Sequence, residues 1–211
     1  MKILAHRGKW KSNEEKNSIT SLLNSFKFGM GVETDVRDCN GRIVISHDPP
    51  RDLISTSLDE LLENMSTEDK NFFIALNIKS DGIQRSLLTL LNNHKINNFF
   101  VFDMAIPDML EYRKLNIPYA TRLSEYENPN DLTEDADWIW LDSFQKDWFD
   151  RNFLIAWLNK DKKIAVVSPE LHGRSHTPVW EILKEFHNHP NLYLCTDLIE
   201  ESERYFHENQ Y

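Results

Sequence analysis

Ala5-His6-Arg7-Gly8, Glu33-Thr34-Asp35 and His47-Asp48 place two imidazoles, a guanidinium and the carboxylates Glu33 and Asp35 within the first fifty residues. Each patch ends a short apolar run: Ile3-Leu4, Gly31-Val32 and Ile43-Val44-Ile45. With those runs as adjacent strands, the polar groups converge on one sheet edge. The inventory suits metal-assisted chemistry on a phosphodiester. Carboxylates hold a hard divalent cation, imidazoles move protons, and a guanidinium grips phosphate. Glu33 and Asp35 are two apart, so on a strand both leave the same face.

The elements that must position these groups follow from apolar spacing. Ile3–Ala5 reads as a first strand. Asn17-Ser18 opens a helix through Ile19, Leu22, Leu23 and Phe26, and Val32–Val36 is a second strand. Asn40-Gly41 is a hairpin turn that folds Arg42–Ser46 back beside it. Ser57 opens a helix to about Met65, Phe72–Ile78 is a strand, and Ile83–His94 a helix. The alternation continues with a strand at Phe99–Phe102, a helix at Pro107–Leu115, and strands at Pro118–Arg122 and Trp138–Leu141. It ends with a helix at Trp148–Leu158, a strand at Ile164–Val167, a helix at Thr177–His187, a strand at Leu192–Cys195 and a short terminal helix. About eight strand-to-helix steps of roughly 25 residues suit a (β/α)8 TIM barrel in a single domain spanning residues 1–211. The rival is an open doubly wound sheet. The barrel is favoured by polar residues just after successive strands (His6, Glu33, Asn77, Asp103, Arg122, Asp142, Glu170, Asp197) and by the lack of a Gly-rich first turn.

Bulk properties exclude several function classes. A net charge of −10 over 211 residues argues against a general nucleic-acid binder, which would carry a basic face. Cys39 and Cys195 have no metal or redox spacing, so a reducing compartment is expected. Lys2 is followed by only three apolar residues before His6-Arg7, unlike a signal peptide, and no apolar run approaches a membrane span. The expected setting is cytoplasmic, and the expected partner a small-molecule phosphodiester substrate.

The order Ala5-His6-Arg7-Gly8, Asn17-Ser18, Gly31-Val32-Glu33-Thr34-Asp35-Val36 and Gly41 through Asp48 closely resembles the glycerophosphodiester phosphodiesterase family. Asn77-Ile78-Lys79 and Cys195-Thr196-Asp197 agree with it. The strong motifs cover about the first 50 residues; the rest matches in strand order more than in sequence. The resemblance implies a (β/α)8 barrel binding Mg2+ or Ca2+ at the strand ends, with His6 and His47 as acid and base. It also implies Glu33 and Asp35 as metal ligands, and Arg7 and Lys79 on phosphate.

Two departures stand out. Asn77 occupies the place of the family's usual third glutamate ligand; its carbonyl can bind a cation but brings no charge. Glu170 is a substitute carboxylate from elsewhere in the chain. The stretch after His47-Asp48 is also short where many members carry an insertion that shapes the glycerol pocket. The polar loop Ser168–Arg174 is a replacement for it, with Glu170, His172 and Arg174 as substrate contacts. Plainer roles exist for each: Glu33 and Asp35 as ion-pair partners of Arg7 and Arg37, Asn77 as a loop brace, and residues 170–174 as a salt-bridged loop. The function expected is metal-dependent hydrolysis of a small glycerol- or sugar-linked phosphodiester. The alternatives are a phospholipase-C-like lyase forming a cyclic phosphate, or a non-catalytic barrel holding a phosphorylated ligand.

Overall fold

A computed structural model describes residues 1–50 and 56–207. The chain forms two compact units: an N-terminal unit from Ala5 to Tyr119, and a C-terminal unit from Ala120 to Tyr211 that also takes Met1–Leu4. Strand β1 (Lys2–His6) runs across that boundary.

In the N-terminal unit the order after β1 is α1 (Ile19–Lys27), β2 (Gly31–Cys39), β3 (Arg42–Ile45), α2 (Leu58–Asn64), β4 (Ile74–Ile78), α3 (Gln84–Asn93), β5 (Phe99–Phe102) and α4 (Ile106–Lys114). The strands lie in the order β5-β4-β2-β1. β2 and β4 run parallel with Asp35 opposite Asn77, and β4 and β5 run parallel with Asn77 opposite Phe102. β3 turns back through Asn40-Gly41 and pairs antiparallel with β2, Val36 facing Ile45. That hairpin explains why β2 runs on to Cys39, past the Val36 end expected from its apolar core. β4 starts at Ile74 and not at Phe72, because a 3-10 turn at Asp69–Asn71 takes up the approach to it.

Parallel strands are covered on both faces and normally read as continuous apolar runs. β4 and β5 are buried throughout, as expected. β2 departs from the rule. Glu33, Thr34 and Asp35 are 2%, 0% and 0% exposed in the middle of a buried strand. Carboxylates are seldom taken that far from water without partners, so the burial itself marks a site.

The C-terminal unit holds β6 (Ala120–Leu123), α5 (Asp131–Asp135), β7 (Trp138–Leu141), α6 (Arg151–Leu158), β8 (Lys163–Val167), α7 (Thr177–Lys184), β9 (Leu192–Thr196) and α8 (Ile199–His207). Its strands are all parallel, in the order β6-β7-β8-β9. Helix α6 starts three residues later than its apolar spacing suggests. Asp150 caps it by accepting a hydrogen bond from Phe153 N at 2.9 Å, which leaves Trp148 and Phe149 outside. Helix α7 stops at Lys184, short of His187. Among the described residues, no helix is long and apolar enough to cross a membrane.

Candidate active site

The site is built on the ends of β1, β2 and β4, and on the hairpin strand β3. The Arg7-Gly8 turn leaves β1 with Arg7 at φ +56 and Gly8 at φ +88. Arg7 N donates to the Glu33 carbonyl at 3.0 Å, which ties the turn to β2. Helix α1 closes over it. Ser18 caps that helix by accepting from Ser21 N, and Lys9 N donates to Ser21 O and Ser25 Oγ at 2.9 and 2.8 Å. The small buried serines at i and i+4 are what let the helix backbone approach this closely.

Gly8 has no room for a side chain. An added Cβ would lie 2.6 Å from the Ser21 carbonyl carbon and 2.8 Å from Leu22 N. Gly8→Ala therefore combines backbone overlap with an unfavourable φ, and should cost about 2–5 kcal/mol. A drop of the melting temperature by about 10 °C, read by circular dichroism, is the expected result.

Asp35 is the hub. Arg7 Nε lies 3.0 Å and Lys79 Nζ 3.2 Å from its carboxylate, and Asn17 Nδ2 donates to Oδ2 at 2.8 Å. Asn17 sits at φ +61 and accepts from Thr34 Oγ1 at 2.8 Å, so its amide is fixed from both ends. The sequence places Asn17-Ser18 at a helix start; Ser18 is the cap, and Asn17 belongs to the site. The ion-pair alternative holds in part: Asp35 pairs with Arg7 and Lys79, whereas Arg37 donates to the backbone carbonyls of His47 and Lys79 at 3.1 and 3.3 Å. Arg37 thus splints the end of the hairpin to the end of β4.

Glu33 lies beside Asp35 on the same strand face, with His6 Nε2 3.9 Å from its Oε2. Burial, and then the Asp35 charge, push its pKa up to about 7 from the ordinary 4.5; His6, Arg7 and Lys79 pull the other way. His6 is steadied from behind by Trp10, whose indole N–H donates to the His6 carbonyl at 3.1 Å. Lys16 covers the Trp10 ring at 4.2 Å.

His47 and Arg7 line one open cavity of about 650 Å³ together with Lys16, Asn17, Ser46 and Asp48. Its Nδ1 donates to the Asp48 carboxylate at 2.8 Å, and that bond holds the Asp48 carboxyl below its usual pKa. In the neutral imidazole that bond places the lone pair on Nε2. Ser46 N donates to the Asp35 carbonyl at 3.1 Å and anchors the hairpin end to β2. The short stretch expected to open the glycerol pocket includes residues 51–55, which lie outside the described residues.

Glu170, His172 and Arg174 belong to the C-terminal unit, where a 3-10 turn at Pro169–His172 follows β8. His172 Nε2 meets the Asp142 carboxylate at 2.7 Å, a bond that raises the imidazole's pKa. Arg174 donates to the Ser143 carbonyl at 2.9 Å and pairs with Asp147. Glu170 accepts from the Thr196 hydroxyl and from Asp197 N. These contacts brace the loops after β7, β8 and β9.

The residues on β2 and β4 fit a hard divalent cation. Asn77 Oδ1 is buried and accepts no hydrogen bond, Asp35 lies opposite Asn77 with its Oδ1 3.2 Å from Lys79 Nζ, and Glu33 is a second buried carboxylate two residues before Asp35 on β2; these are the oxygens that would hold such an ion. Among the described residues, no group of three His, Cys, Asp or Glu side chains is placed to hold a metal.

No family model matches the sequence. No curated protein matches it either. Solved structures do. A glycerophosphodiester phosphodiesterase from Parabacteroides distasonis is 17% identical, with a TM-score of 0.69 over 98% of this chain and 97% of its own. One from Agrobacterium tumefaciens is 14% identical, with a TM-score of 0.68 over 93% and 95%. An Oleispira antarctica phosphodiesterase, solved with the product sn-glycerol-3-phosphate, is 16% identical, with a TM-score of 0.70 over 97% and 96%. The likeness decides between the two architectures compatible with the sequence: the chain has the (β/α)8 barrel fold of those structures, and not an open doubly wound sheet.

Proposed function

We propose that the chain is a metal-dependent phosphodiesterase that hydrolyses a small glycerol- or sugar-linked phosphodiester, with His6 and His47 as acid and base. The observation that carries this is the buried Asp35, held between Arg7 and Lys79 beside a Glu33 whose charge burial disfavours. Such an arrangement is costly as a structural brace and useful as a site for an anionic substrate. The solved structures of similar fold, one of them holding sn-glycerol-3-phosphate, support the same reading.

In this reading Arg7 and Lys79 draw the phosphate to the strand ends and offset its charge. A divalent cation held by Glu33, Asp35 and Asn77 would neutralise developing charge on the phosphoryl oxygens. His47, its Nδ1 committed to Asp48, takes a proton from water at Nε2, and the oxygen forms the new bond to phosphorus. The ester P–O bond breaks on the other side, and His6 delivers the proton that the departing alkoxide needs. The products are an alcohol and a phosphomonoester. The polar cavity bounded by Arg7, Lys16 and His47 suits a hydroxylated alcohol better than an acyl chain.

Hydrolysis of bis(p-nitrophenyl) phosphate and of glycerophosphodiesters, with Mg2+, Ca2+ or Mn2+ and with EDTA as control, tests the proposal. Turnover that a cation supports and EDTA abolishes is the expected result. No turnover with any of the three cations, by protein shown to be folded, would overturn it. A cyclic phosphate retained as product would replace water by a substrate hydroxyl as the nucleophile.

A further inference from the structure

We infer that Asp103 is a positioning residue for the cation site, supplying from β5 the charge that Asn77 lacks on β4. The inference rests on the cation-dependent reading above and extends it to a residue outside that ligand set.

Register brings the two together. Asp35 on β2, Asn77 on β4 and Phe102 on β5 lie opposite one another, so Asp103 is one step past the end of that row. It takes a left-handed backbone at φ +68, a conformation that Asp tolerates better than most residues. Asn77 Nδ2 donates to Asp103 Oδ2 at 3.1 Å. An amide has opposite ends, so committing its NH2 to Asp103 turns Oδ1 the other way. That oxygen is left buried with no hydrogen-bond donor, in a side chain only 8% exposed. The reversed amide would set Oδ1 against the Asp103 carboxylate, lone pair against lone pair. The Asp103 charge therefore selects the orientation in which Asn77 presents an oxygen. It also polarises the amide, which makes that oxygen a better ligand than an isolated carboxamide. Asn77 and Asp103 together thus do what a single carboxylate would do, with the ligand atom on one strand and the charge on the next.

Calorimetric titration of Mg2+ and Ca2+ into the wild-type protein, Asp103→Asn, Asp103→Gly, Asn77→Asp and the double variant Asp103→Gly/Asn77→Asp tests this. Glycine accepts the positive φ, so the fold is expected to survive, and melting curves in EDTA check it. Asp103→Gly should bind cations about 10- to 100-fold more weakly. Asp103→Asn, which keeps an acceptor but loses the charge, should fall between it and the wild type. The double variant should recover affinity, because the carboxylate then sits on β4. Measured against Asn77→Asp alone it should lose little, whereas a purely structural role for Asp103 would weaken both backgrounds alike. Wild-type affinity in Asp103→Gly, or a double variant no tighter than Asp103→Gly, overturns the assignment of Asp103 alone. A wild-type protein that binds neither cation overturns the cation-dependent reading with it. Should Asp103→Gly fail to fold, Asp103→Asn decides, with unchanged affinity counting against the proposal.

Discussion

Replacing either His6 or His47 by alanine should lower kcat by about 10²- to 10⁴-fold while leaving the fold intact. His47 is about half exposed and its side chain bonds to Asp48, so its loss opens no core cavity. His6 is more enclosed, with Nε2 3.9 Å from the Glu33 carboxylate, but its backbone carbonyl is held by Trp10 whatever the side chain is. Melting temperatures should therefore stay within a few degrees of wild type. Steady-state kinetics on a phosphodiester, with circular dichroism on the same samples, is the measurement. Activity retained in both variants would remove the imidazoles from the mechanism and leave the carboxylate site to act alone. The double variant should be little worse than either single one if the two act in one concerted step, since such groups are not additive.

Glu33→Gln should do two opposite things: abolish cation binding and stabilise the cation-free protein. The folded state holds a proton on Glu33 up to about pH 7, whereas the unfolded chain releases it near the ordinary 4.5. A raised carboxyl contributes stability that is fully present below the unfolded pKa and is lost as pH rises through the folded one. At pH 8 the buried, ionised Glu33 therefore costs on the order of 3 kcal/mol relative to a neutral group of the same shape. Glutamine removes that cost. In EDTA at pH 8 the variant should melt several degrees higher than wild type, and near pH 4 the difference should vanish. A variant that melts lower at pH 8 would mean that Arg7, Lys79 and His6 already compensate the ionised acid in full. The residue that makes the site work would then also be the one that holds its strand together.

The first fifty residues were readable because local chemistry and local geometry agree there. Period-two carboxylates on β2, the Asn40-Gly41 turn and the short apolar runs need no tertiary knowledge. Asn17 and Asp103 show the limit. Each sits at positive φ and acts on a partner far along the chain, Asp35 and Asn77 respectively. Nothing in the neighbouring sequence announces those partners. Helix α5 escaped notice for another reason. At five residues it is too short for helical periodicity, and its sign is the Asn130 side chain capping Leu132 N and Thr133 N. In Ser168–Arg174 the polar character was legible and so was the salt-bridged alternative, but not the partners, which lie far along the chain: His172, Arg174 and Glu170 meet Asp142, Asp147 and Thr196.

The hairpin strand β3 has a consequence for how such a barrel changes its diet. Ile45 N donates to the Thr56 carbonyl at 2.8 Å, and Val44 bridges to Ser57, so the two ends of the intervening segment are stitched side by side. His47 is moored independently of that segment's far end, through Ser46 on Asp35 and through Arg37. A segment spliced in between Pro50 and Thr56 thus starts and finishes at a fixed gate, and doubling its length costs only about 0.6 kcal/mol in closure entropy. On the mechanism proposed above, new walls for new alcohols could be grafted there while His47 and the buried acids keep their places. Substrate choice and bond-breaking would then be separate modules joined at one seam.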